Sequence, residues 1–312
     1  MVEAGTPFPS NNASDTRALT PNPSRKQEGS EGKKMSETSS NGVVAYDVVD
    51  RIAWVRFNRP DKRNAMSPTL NRDMMEVLDL LEFRDDVGVL VLSGEGPAWT
   101  AGMDLKEYFR ETEKDGLAGT RKAQRESYGW WRRLRWYQKP TIAMINGWCF
   151  GGGYGPLFGC DLAFAAEEAK FGLSEINWGI LPGGGATKVA QELMPFRKAM
   201  YHAMMGENID GKTAESWGLV NEALPLAQLK DRVTEVARVL LEKNPVALKA
   251  TKDAMRRVGP MTYDEAEDYL VRAQEAANSY DNEGRKEGIR QFIDEKSYKP
   301  GLGAYDKDRV KA

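Results

Sequence analysis

The chain has very few of the residues on which disulfide and metal chemistry depend. Its 312 residues include one histidine and two cysteines. Two cysteines, Cys149 and Cys160, do not make a disulfide framework, so we expect free, packed thiols in a reducing cytoplasm. A catalytic zinc site would lack a ligand cluster. We therefore expect no metal, and we expect His202 to be packed or exposed without a catalytic role.

Long apolar runs and an excess of charge of one sign are also missing. No stretch approaches the roughly 18 apolar residues needed to span a membrane. The N-terminal segment has no apolar core typical of a signal peptide. A formal net charge of -2 gives no reason to expect nucleic acid or an anionic membrane as a partner. The sequence therefore predicts a cytoplasmic protein that binds neither nucleic acid nor membrane.

Composition divides the chain into three regions. Residues 1–42 are rich in Ser, Asn, Pro, Gly and charge. Such a segment cannot bury enough apolar surface to offset its ordering entropy, so we predict a disordered tail. From residue 43 the sequence alternates between strand and helix patterns, and from about residue 190 onward the pattern is helical. This order predicts an α/β core followed by a C-terminal helical module.

Local signals define the first elements of the core. The runs VVAYDVV and IAWVRFNRP are β-rich and meet at Asp50-Arg51, which indicates a hairpin. Ser67-Pro68 then begins an amphipathic helix. Its predicted buried face is apolar and consists of Leu70, Met74, Leu78 and Leu81.

Two glycine-containing loops follow apolar strands, in AWTAGMDL (98–105) and NGWCFGGGYGP (146–156). Glycine allows a backbone to approach a ligand closely. By itself, however, a run of three glycines is more typical of a tight turn. Neither loop matches a phosphate-binding or dinucleotide-binding pattern, and no G-x-S-x-G nucleophile motif occurs. These two loops alone do not identify a ligand.

Four motifs in register resemble the crotonase (enoyl-CoA hydratase/isomerase) superfamily. They are NRPDKRNAMS (58–67), AGMDLKEY (101–108), KPTIAMINGWCFGGG (139–153) and CDLAFAAEEAKFGLSEINWGILPGGG (160–185). In order, they resemble the family's coenzyme-A-proximal turn, its two oxyanion loops and its substrate-side segment. The resemblance implies a ββα spiral core over residues 43–230 and a trimerisation module over residues 231–312. It also implies a homotrimer or a dimer of trimers.

The resemblance assigns roles to individual residues. Proton transfer beside a thioester carbonyl makes an enolate, whose oxygen needs preorganised donors. The resemblance places these donors at the backbone N–H groups of Met103 and Gly152, and the acid–base group at Glu175. Trp178 and Gly183 would line the acyl pocket. The implied contacts to coenzyme A are Lys62, Ala101, Gly102, Met103, Asp104, Leu105, Lys106, Gly152 and Gly153.

One difference from the hydratases of the family points to a smaller group within it. Hydratases of the family carry a second glutamate where this chain has Gly155. Segments such as AMSPTLNRDM, NGWCFGG, LSEINWGI and KSYKPGLGAYD are similar to hydroxycinnamoyl-CoA (feruloyl-CoA) hydratase-lyases, which also lack that glutamate. Those lyases hydrate feruloyl-CoA, 4-coumaroyl-CoA or caffeoyl-CoA. A retro-aldol step then gives a 4-hydroxybenzaldehyde, such as vanillin, and acetyl-CoA. The acyl-CoA substrate would bring the only coenzyme, with no separate cofactor.

The chain has fewer of the residues that contact the aromatic ring of the substrate in those lyases. Tyr108 matches a tyrosine that holds the phenol oxygen of the substrate. The lyases carry a hydroxyl side chain at the position of Gly155 and a second tyrosine at that of Val271, so the resemblance places both residues beside the substrate. Tyr269 is two residues away and faces another side of its helix. A hydratase or isomerase for another acyl-CoA therefore stays open. The retained Glu175 argues against a third reading, a non-catalytic acyl-CoA-binding protein.

Overall fold

The computed structural model describes residues 37–299 and 303–310. The predicted disorder of residues 1–36 lies outside this part of the chain. The described strands follow one another as β1 Glu37–Thr38, β2 Val44–Val49, β3 Ile52–Phe57, β4 Val89–Gly94, β5 Ala98–Thr100, β6 Thr141–Ile145, β7 Trp148–Phe150, β8 Leu162–Ala166, β9 Lys170–Gly172, β10 Ile209–Asp210 and β11 Glu222–Leu224.

Helices separate these strands and make up most of the C-terminal third. They are α1 Pro68–Glu82, α2 Gly116–Arg135, α3 Tyr154–Gly159, α4 Ala186–Leu193, α5 Phe196–Met205, α6 Gly211–Ser216, α7 Leu226–Glu242, α8 Pro245–Val258, α9 Tyr263–Tyr280 and α10 Asn282–Ile293. Short 3-10 or π-helical turns are Pro60–Lys62, Leu105–Arg110, Thr112–Asp115, Gly151–Gly153, Ser174–Trp178 and Lys307–Arg309.

The strands form a large and a small sheet that the chain visits alternately. The large sheet has the order β1-β2-β3-β4-β6-β8-β11, and the small sheet has the order β10-β9-β7-β5. Strands β4, β6 and β8 enter the large sheet, and each is followed by a strand of the small sheet and a helical segment. This repeat is the predicted ββα spiral. Every residue of β4 is buried, as expected for a parallel strand covered on both faces.

The predicted hairpin and the first predicted helix are both present. Strands β2 and β3 pair antiparallel along their whole length. Asp50 and Arg51 between them have φ angles of 51° and 64°, the left-handed values that a two-residue type I′ turn requires. Ser67 caps α1 by accepting a hydrogen bond from the Leu70 backbone. The predicted apolar face of α1 is fully buried.

Helix α7 corrects the predicted boundary between core and C-terminal module. A boundary at residue 230 would cut this helix after its first turn. Leu229, Val233 and Ala237 on one face of α7 are buried in the same apolar core as the large sheet. The helix therefore belongs to the core, and the C-terminal helices that pack outside it begin with α8. The described residues form one compact unit.

The start of the folded region is also earlier than the sequence indicated. Strand β1 pairs with β2, and the segment after it packs against α1. The buried Asp73 carboxylate accepts hydrogen bonds from Ser39 Oγ at 2.6 Å and from Asn41 Nδ2 at 2.7 Å. Residues 37–42 were assigned to the tail because they are polar. They are nevertheless ordered, because Ser39 and Asn41 supply hydrogen bonds that the buried Asp73 carboxylate requires.

None of the helices in the described ranges is both long enough and apolar enough to cross a membrane.

The contacts of two neighbouring serines test the importance of this N-terminal segment. Ser39→Ala should lower the free energy of unfolding by about 1.5–3 kcal/mol, because it removes a hydrogen bond to a buried charged group. Ser40→Ala is the control, since Ser40 bonds to the exposed Glu76. Its effect should stay within about 0.5 kcal/mol. Equal denaturation midpoints for both variants would contradict the assignment.

Candidate active site

Three loops with predicted site residues leave the small sheet at the same edge. Strands β5, β7 and β9 are parallel neighbours, so their carboxyl ends lie side by side. The segment 101–104 follows β5, the Gly151–Gly153 turn follows β7, and the Ser174–Trp178 turn follows β9. The topology therefore brings together parts of the chain that are about 70 residues apart in sequence.

The first loop is held by a short bridge to the turn that precedes α1. Met66 donates to Gly102 O at 2.7 Å and accepts from Asp104 N at 3.0 Å. In a parallel bridge, the residue between these two bonds directs its own N–H to the opposite side. That residue is Met103. Its backbone donor therefore points away from Met66.

Arg59 fixes the end of the first loop. The Asp104 carboxylate caps the helical turn Leu105–Arg110 by accepting from Lys106 N at 3.1 Å and Glu107 N at 2.9 Å. Arg59 donates to Asp104 at 3.1 Å and to Glu107 at 2.6 Å. This arginine ties the 58–67 motif to the first loop. Sequence reasoning did not assign it a role, although it lies within a quoted motif.

The second loop packs against the first without space for side chains. A Cβ at Gly152 would lie 3.4 Å from Met103 N and 2.7 Å from Met103 Cγ. Gly102 has a φ of 88°, and a Cβ there would lie 2.6 Å from Phe150 O. The first N–H groups of a helical turn have no partner within it. The Gly152 N–H is such a group, so the two loops present backbone donors next to each other.

Glu175 lies against the second loop. A Cβ at Gly151, whose φ is 46°, would overlap Glu175 Oε1. The other carboxylate oxygen, Oε2, is buried and has no hydrogen-bond partner among the described residues. Burial raises the pKa of Glu175 above its ordinary value, because the ionised form loses hydration. A carboxyl group with a raised pKa suits proton transfer near neutral pH.

A cavity of about 600 Å³ contains these groups. Its wall includes most of the residues predicted to bind coenzyme A or the acyl group, namely Lys62, Ala101, Gly102, Met103, Asp104, Leu105, Lys106, Gly152, Glu175 and Trp178. Three of the lining residues, Lys62, Arg63 and Lys106, are cationic, and we refer to them as the cationic side of the cavity. Arg63 stacks on Trp148, with its guanidinium carbon 4.4 Å from the ring centroid.

Eight lining residues were not predicted, although seven of them lie within the quoted motifs or directly after one. They are Arg63, Ala65, Phe109, Trp148, Phe150, Gly151, Ser174 and Asn208. The arginine and the tryptophan belong to the 58–67 and 139–153 motifs, and Phe109 follows the 101–108 motif. Asn208 lies beyond all four motifs, and no local pattern marks it.

Gly155 faces a tryptophan instead of the cavity. A Cβ at Gly155 would lie 2.6 Å from Trp131 Cδ2, and Gly184 contacts the same indole. The ring of Trp131 thus fills the space into which a side chain at residue 155 would project. This explains in steric terms why the chain has no second carboxylate there. The sequence had suggested that Gly155 lies beside the substrate. In the structure it does not line this cavity.

Four other predicted residues also lie away from the lining of this cavity. Tyr108 is buried, and its hydroxyl contacts Ser127 Oγ at 3.1 Å. Gly153 packs against Thr100. Gly183 precedes α4 and borders open space, with no atom closer to its Cβ position than 3.7 Å. Val271 on α9 is 52% exposed.

The sequence model of the enoyl-CoA hydratase/isomerase family matches residues 48–300, and the chain belongs to that family. It is 53% identical to a hydroxycinnamoyl-CoA hydratase-lyase of Pseudomonas fluorescens, over 84% of this chain and 96% of that protein. A 2,3-dehydroadipyl-CoA hydratase of Escherichia coli K12 is 33% identical over 66% of this chain and 79% of its own length.

Solved structures share the fold. An enoyl-CoA hydratase subunit I from Geobacillus kaustophilus HTA426 superimposes with a TM-score of 0.73 and 28% identity, covering 81% of this chain and 95% of that one. These matches confirm the crotonase-like fold. They also confirm the prediction of a crotonase-type lyase similar to the hydroxycinnamoyl-CoA hydratase-lyases. Within residues 37–299 and 303–310, no three His, Cys, Asp or Glu side chains are grouped as metal ligands would be.

The contact between Gly155 and Trp131 leads to a stability prediction. Gly155→Ala should lower the free energy of unfolding by about 1–3 kcal/mol, because the added methyl group overpacks the indole. Gly183→Ala should have little effect, since its surroundings are open. Chemical denaturation of both variants measures the difference. Gly155→Ala should cost less in a Trp131→Leu background than in the unaltered chain, because the two residues are in contact. Equal stability of Gly155→Ala and Gly183→Ala would disprove the contact.

The raised pKa of Glu175 predicts the pH dependence of turnover. Removing a proton from water requires the ionised carboxylate, so kcat/KM should rise with pH through a pKa above the roughly 4.3 of a free glutamate. Glu175→Gln should lower turnover by about 10²–10⁴ and retain thioester binding. Glu168→Gln, at an exposed site, is the control. If kcat/KM of Glu175→Gln still rose with pH as it does in the unaltered chain, this residue would be ruled out as the base.

Proposed function

We propose that the chain hydrates 4-hydroxycinnamoyl-CoA thioesters, namely feruloyl-CoA, 4-coumaroyl-CoA and caffeoyl-CoA, and then cleaves the hydrated thioester. The products are acetyl-CoA and a 4-hydroxybenzaldehyde, which is vanillin for feruloyl-CoA. The observation that carries the proposal is the contact between two glycine loops beside Glu175. The chain's 53% identity to a hydroxycinnamoyl-CoA hydratase-lyase supports the substrate class.

The backbone donors of Met103 and Gly152 stabilise the enolate in this proposal. Both addition of water and cleavage place negative charge on the thioester oxygen. Two donors that are fixed before the reaction lower the barrier, and one such donor is worth about 3–4 kcal/mol. The close packing at Gly152 supports this role, because it keeps the two N–H groups in fixed positions.

Glu175 moves the protons in both steps. In hydration, its carboxylate removes a proton from water, the hydroxide adds to the β-carbon, and the proton returns to the α-carbon of the enolate. In cleavage, the carboxylate takes the proton of the β-hydroxyl, and the bond between the α- and β-carbons breaks. The aldehyde leaves, and the same proton goes to the acetyl-CoA enolate. One carboxyl group therefore serves both steps.

The cationic side of the cavity binds the phosphates of coenzyme A. Lys62, Arg63 and Lys106 lie there, and Asp104 holds the loop that carries Lys106. Phosphate groups attract exposed cations even where each single contact is weak. The chemistry needs no cofactor beyond the coenzyme A of the substrate.

The para hydroxyl of the ring donates to Tyr108 in this proposal. Ser127 donates its hydroxyl hydrogen to Gln124 O at 3.0 Å. The Tyr108 hydroxyl then donates to Ser127, and the Tyr108 oxygen is left to accept. Accepting from the phenol increases electron donation toward the bond that breaks. Phe109 lines the cavity and packs edge-on against Tyr108, with centroids 5.1 Å apart. The proposed contact therefore requires Phe109 to turn aside.

A hydratase or isomerase for another acyl-CoA is the alternative. It is favoured by the positions of Tyr108 behind the cavity wall and of Val271 on an exposed helix face. We further propose a cytoplasmic homotrimer or dimer of trimers. Large exposed apolar side chains on the C-terminal helices support association of subunits, among them Met255, Tyr263 and Tyr280.

Four thioesters distinguish the two functions. Feruloyl-CoA and 4-coumaroyl-CoA should release aldehyde and acetyl-CoA, whereas cinnamoyl-CoA has no para hydroxyl and should not be cleaved. A site with a polar partner for a hydroxyl discriminates strongly against substrates that lack it. Aldehyde absorbance and chromatography of the thioesters measure the outcome. Hydration of crotonyl-CoA without aldehyde release from any aromatic thioester would favour the alternative.

Tyr108→Phe tests the ring contact. It should weaken turnover of 4-hydroxylated thioesters by more than the roughly 1 kcal/mol of an ordinary hydrogen bond, because no second tyrosine replaces it. Tyr46→Phe is the matched control, since Tyr46 is buried and its hydroxyl bonds to Glu37 on the N-terminal strand. Aldehyde release at saturating and low substrate gives both kinetic constants. Equal rates for the two variants would remove Tyr108 from the mechanism.

A further inference from the structure

Two buried polar side chains behind the candidate site form a hydrogen bond that the proposed chemistry does not use. Tyr154 is 0% exposed and His202 is 1% exposed. The Tyr154 hydroxyl and His202 Nε2 are 2.7 Å apart, and no partner of Nδ1 occurs among the described residues. Burying polar groups is costly unless they are paired. Two apolar side chains of similar shape would be about as stable here. The pair therefore calls for an explanation other than stability.

Tyr154 belongs to the second loop. It directly follows the Gly151–Gly153 turn, and its backbone N–H donates to the carbonyls of Gly151 and Gly152. The side chain of Tyr154 thus anchors the turn that carries the Gly152 donor. Movement of this ring would rotate the turn, because only one residue separates Tyr154 from Gly152.

His202 belongs to a helix that holds the Glu175 segment. Gly206 caps the C-terminus of α5, and its carbonyl accepts from Asn177 Nδ2 at 3.1 Å. A Cβ at Gly206 would lie 2.7 Å from Ile176 Cγ2, so the end of α5 is packed closely on this segment. Ile176 and Asn177 are the two residues after Glu175.

These contacts close a ring around the site. Glu175 contacts Gly151 directly. Tyr154 connects the same turn to His202, and α5 leads back to Asn177 beside Glu175. The Tyr154–His202 hydrogen bond joins the two halves of this ring from behind. It therefore limits how far the carboxylate and the backbone donor can separate.

The pair acts through geometry and not through charge. Burial lowers the pKa of His202 to about 4 and raises that of Tyr154. Both side chains are therefore neutral near neutral pH, so the pair adds no net charge beside Glu175. Trp217 lies edge-on to the imidazole, with ring centroids 6.2 Å apart, which helps to fix its plane.

We propose that Tyr154 and His202 are positioning residues that hold the Gly152 N–H and the Glu175 carboxylate at the separation needed for proton transfer beside a thioester. This inference rests on the proposed function for the roles of Gly152 and Glu175. It assigns to the histidine, for which the sequence suggested no catalytic role, a part in turnover without contact to the substrate.

Tyr154→Phe is the first test, with Tyr137→Phe as its control. Tyr137 is equally buried, and its hydroxyl donates to Leu78 O at 3.0 Å on α1, so it makes a buried hydrogen bond that does not involve the site. Tyr154→Phe should lower kcat at least about tenfold, because small misplacements of reacting groups are costly. Its KM should change less than about twofold, since it removes no contact to the thioester. Tyr137→Phe should lower the melting temperature similarly and leave kcat unchanged.

A second measurement uses a thioester without an aromatic ring, so it does not depend on how the ring of the proposed substrate binds. Exchange of the α-protons of acetyl-CoA in D₂O, followed by NMR, reports enolate formation between Glu175 and the backbone donors. Tyr154→Phe should slow this exchange to the same extent as kcat. His202→Leu should slow it as well, and the double variant should be no slower than His202→Leu alone, because both changes remove one bond.

The outcomes separate this inference from the proposed function. Proton exchange without aldehyde release in the unaltered chain would reject the proposed substrate, and the exchange rates of the variants would still decide the role of the pair. Wild-type exchange in Tyr154→Phe would overturn the inference, as would equal losses of kcat in Tyr154→Phe and Tyr137→Phe. Absence of both exchange and aldehyde release in the unaltered chain would overturn both proposals.

Discussion

Steric contact between Glu175 and the backbone at Gly151 is the constraint on which the rest of the site depends. A side chain at residue 151 would displace the carboxylate, and one at residue 152 would displace Met103. The segments of the candidate site approach one another only because glycine occupies these positions. The same closeness buries one carboxylate oxygen and raises the pKa of Glu175. The position of the Glu175 carboxylate and its raised pKa thus have the same cause, which is the close approach of the two segments.

The small sheet brings the loops together but does not hold them accurately by itself. Its strands β5, β7 and β9 have three residues each, and such short strands make few ladder hydrogen bonds. Contacts outside the sheet supply the missing rigidity. Arg59 fixes the first loop through Asp104, and the Tyr154–His202 bond fixes the second from behind. The large sheet, with its fully buried strand β4, is the support for both.

Local features of the structure could be predicted from sequence, and contacts between distant segments could not. The turn at Asp50-Arg51 and the cap at Ser67 have short-range signals, and both are present. The apolar stripe of α7 looks the same whether it packs on the sheet or outside it, so the predicted boundary was misplaced. The missing carboxylate at Gly155 was visible in the sequence. Its cause was not, because Trp131 lies 24 residues earlier and contributes no local pattern.

The occupation of the space at Gly155 by Trp131 limits how such a chain can diverge. A single step to glutamate at residue 155 would force its first side-chain atom into the indole. A single step that replaces the tryptophan with a small residue would leave a cavity, at a cost of about 3–5 kcal/mol. Each change made alone should therefore destabilise the chain. Related chains are expected to keep or exchange the two residues together.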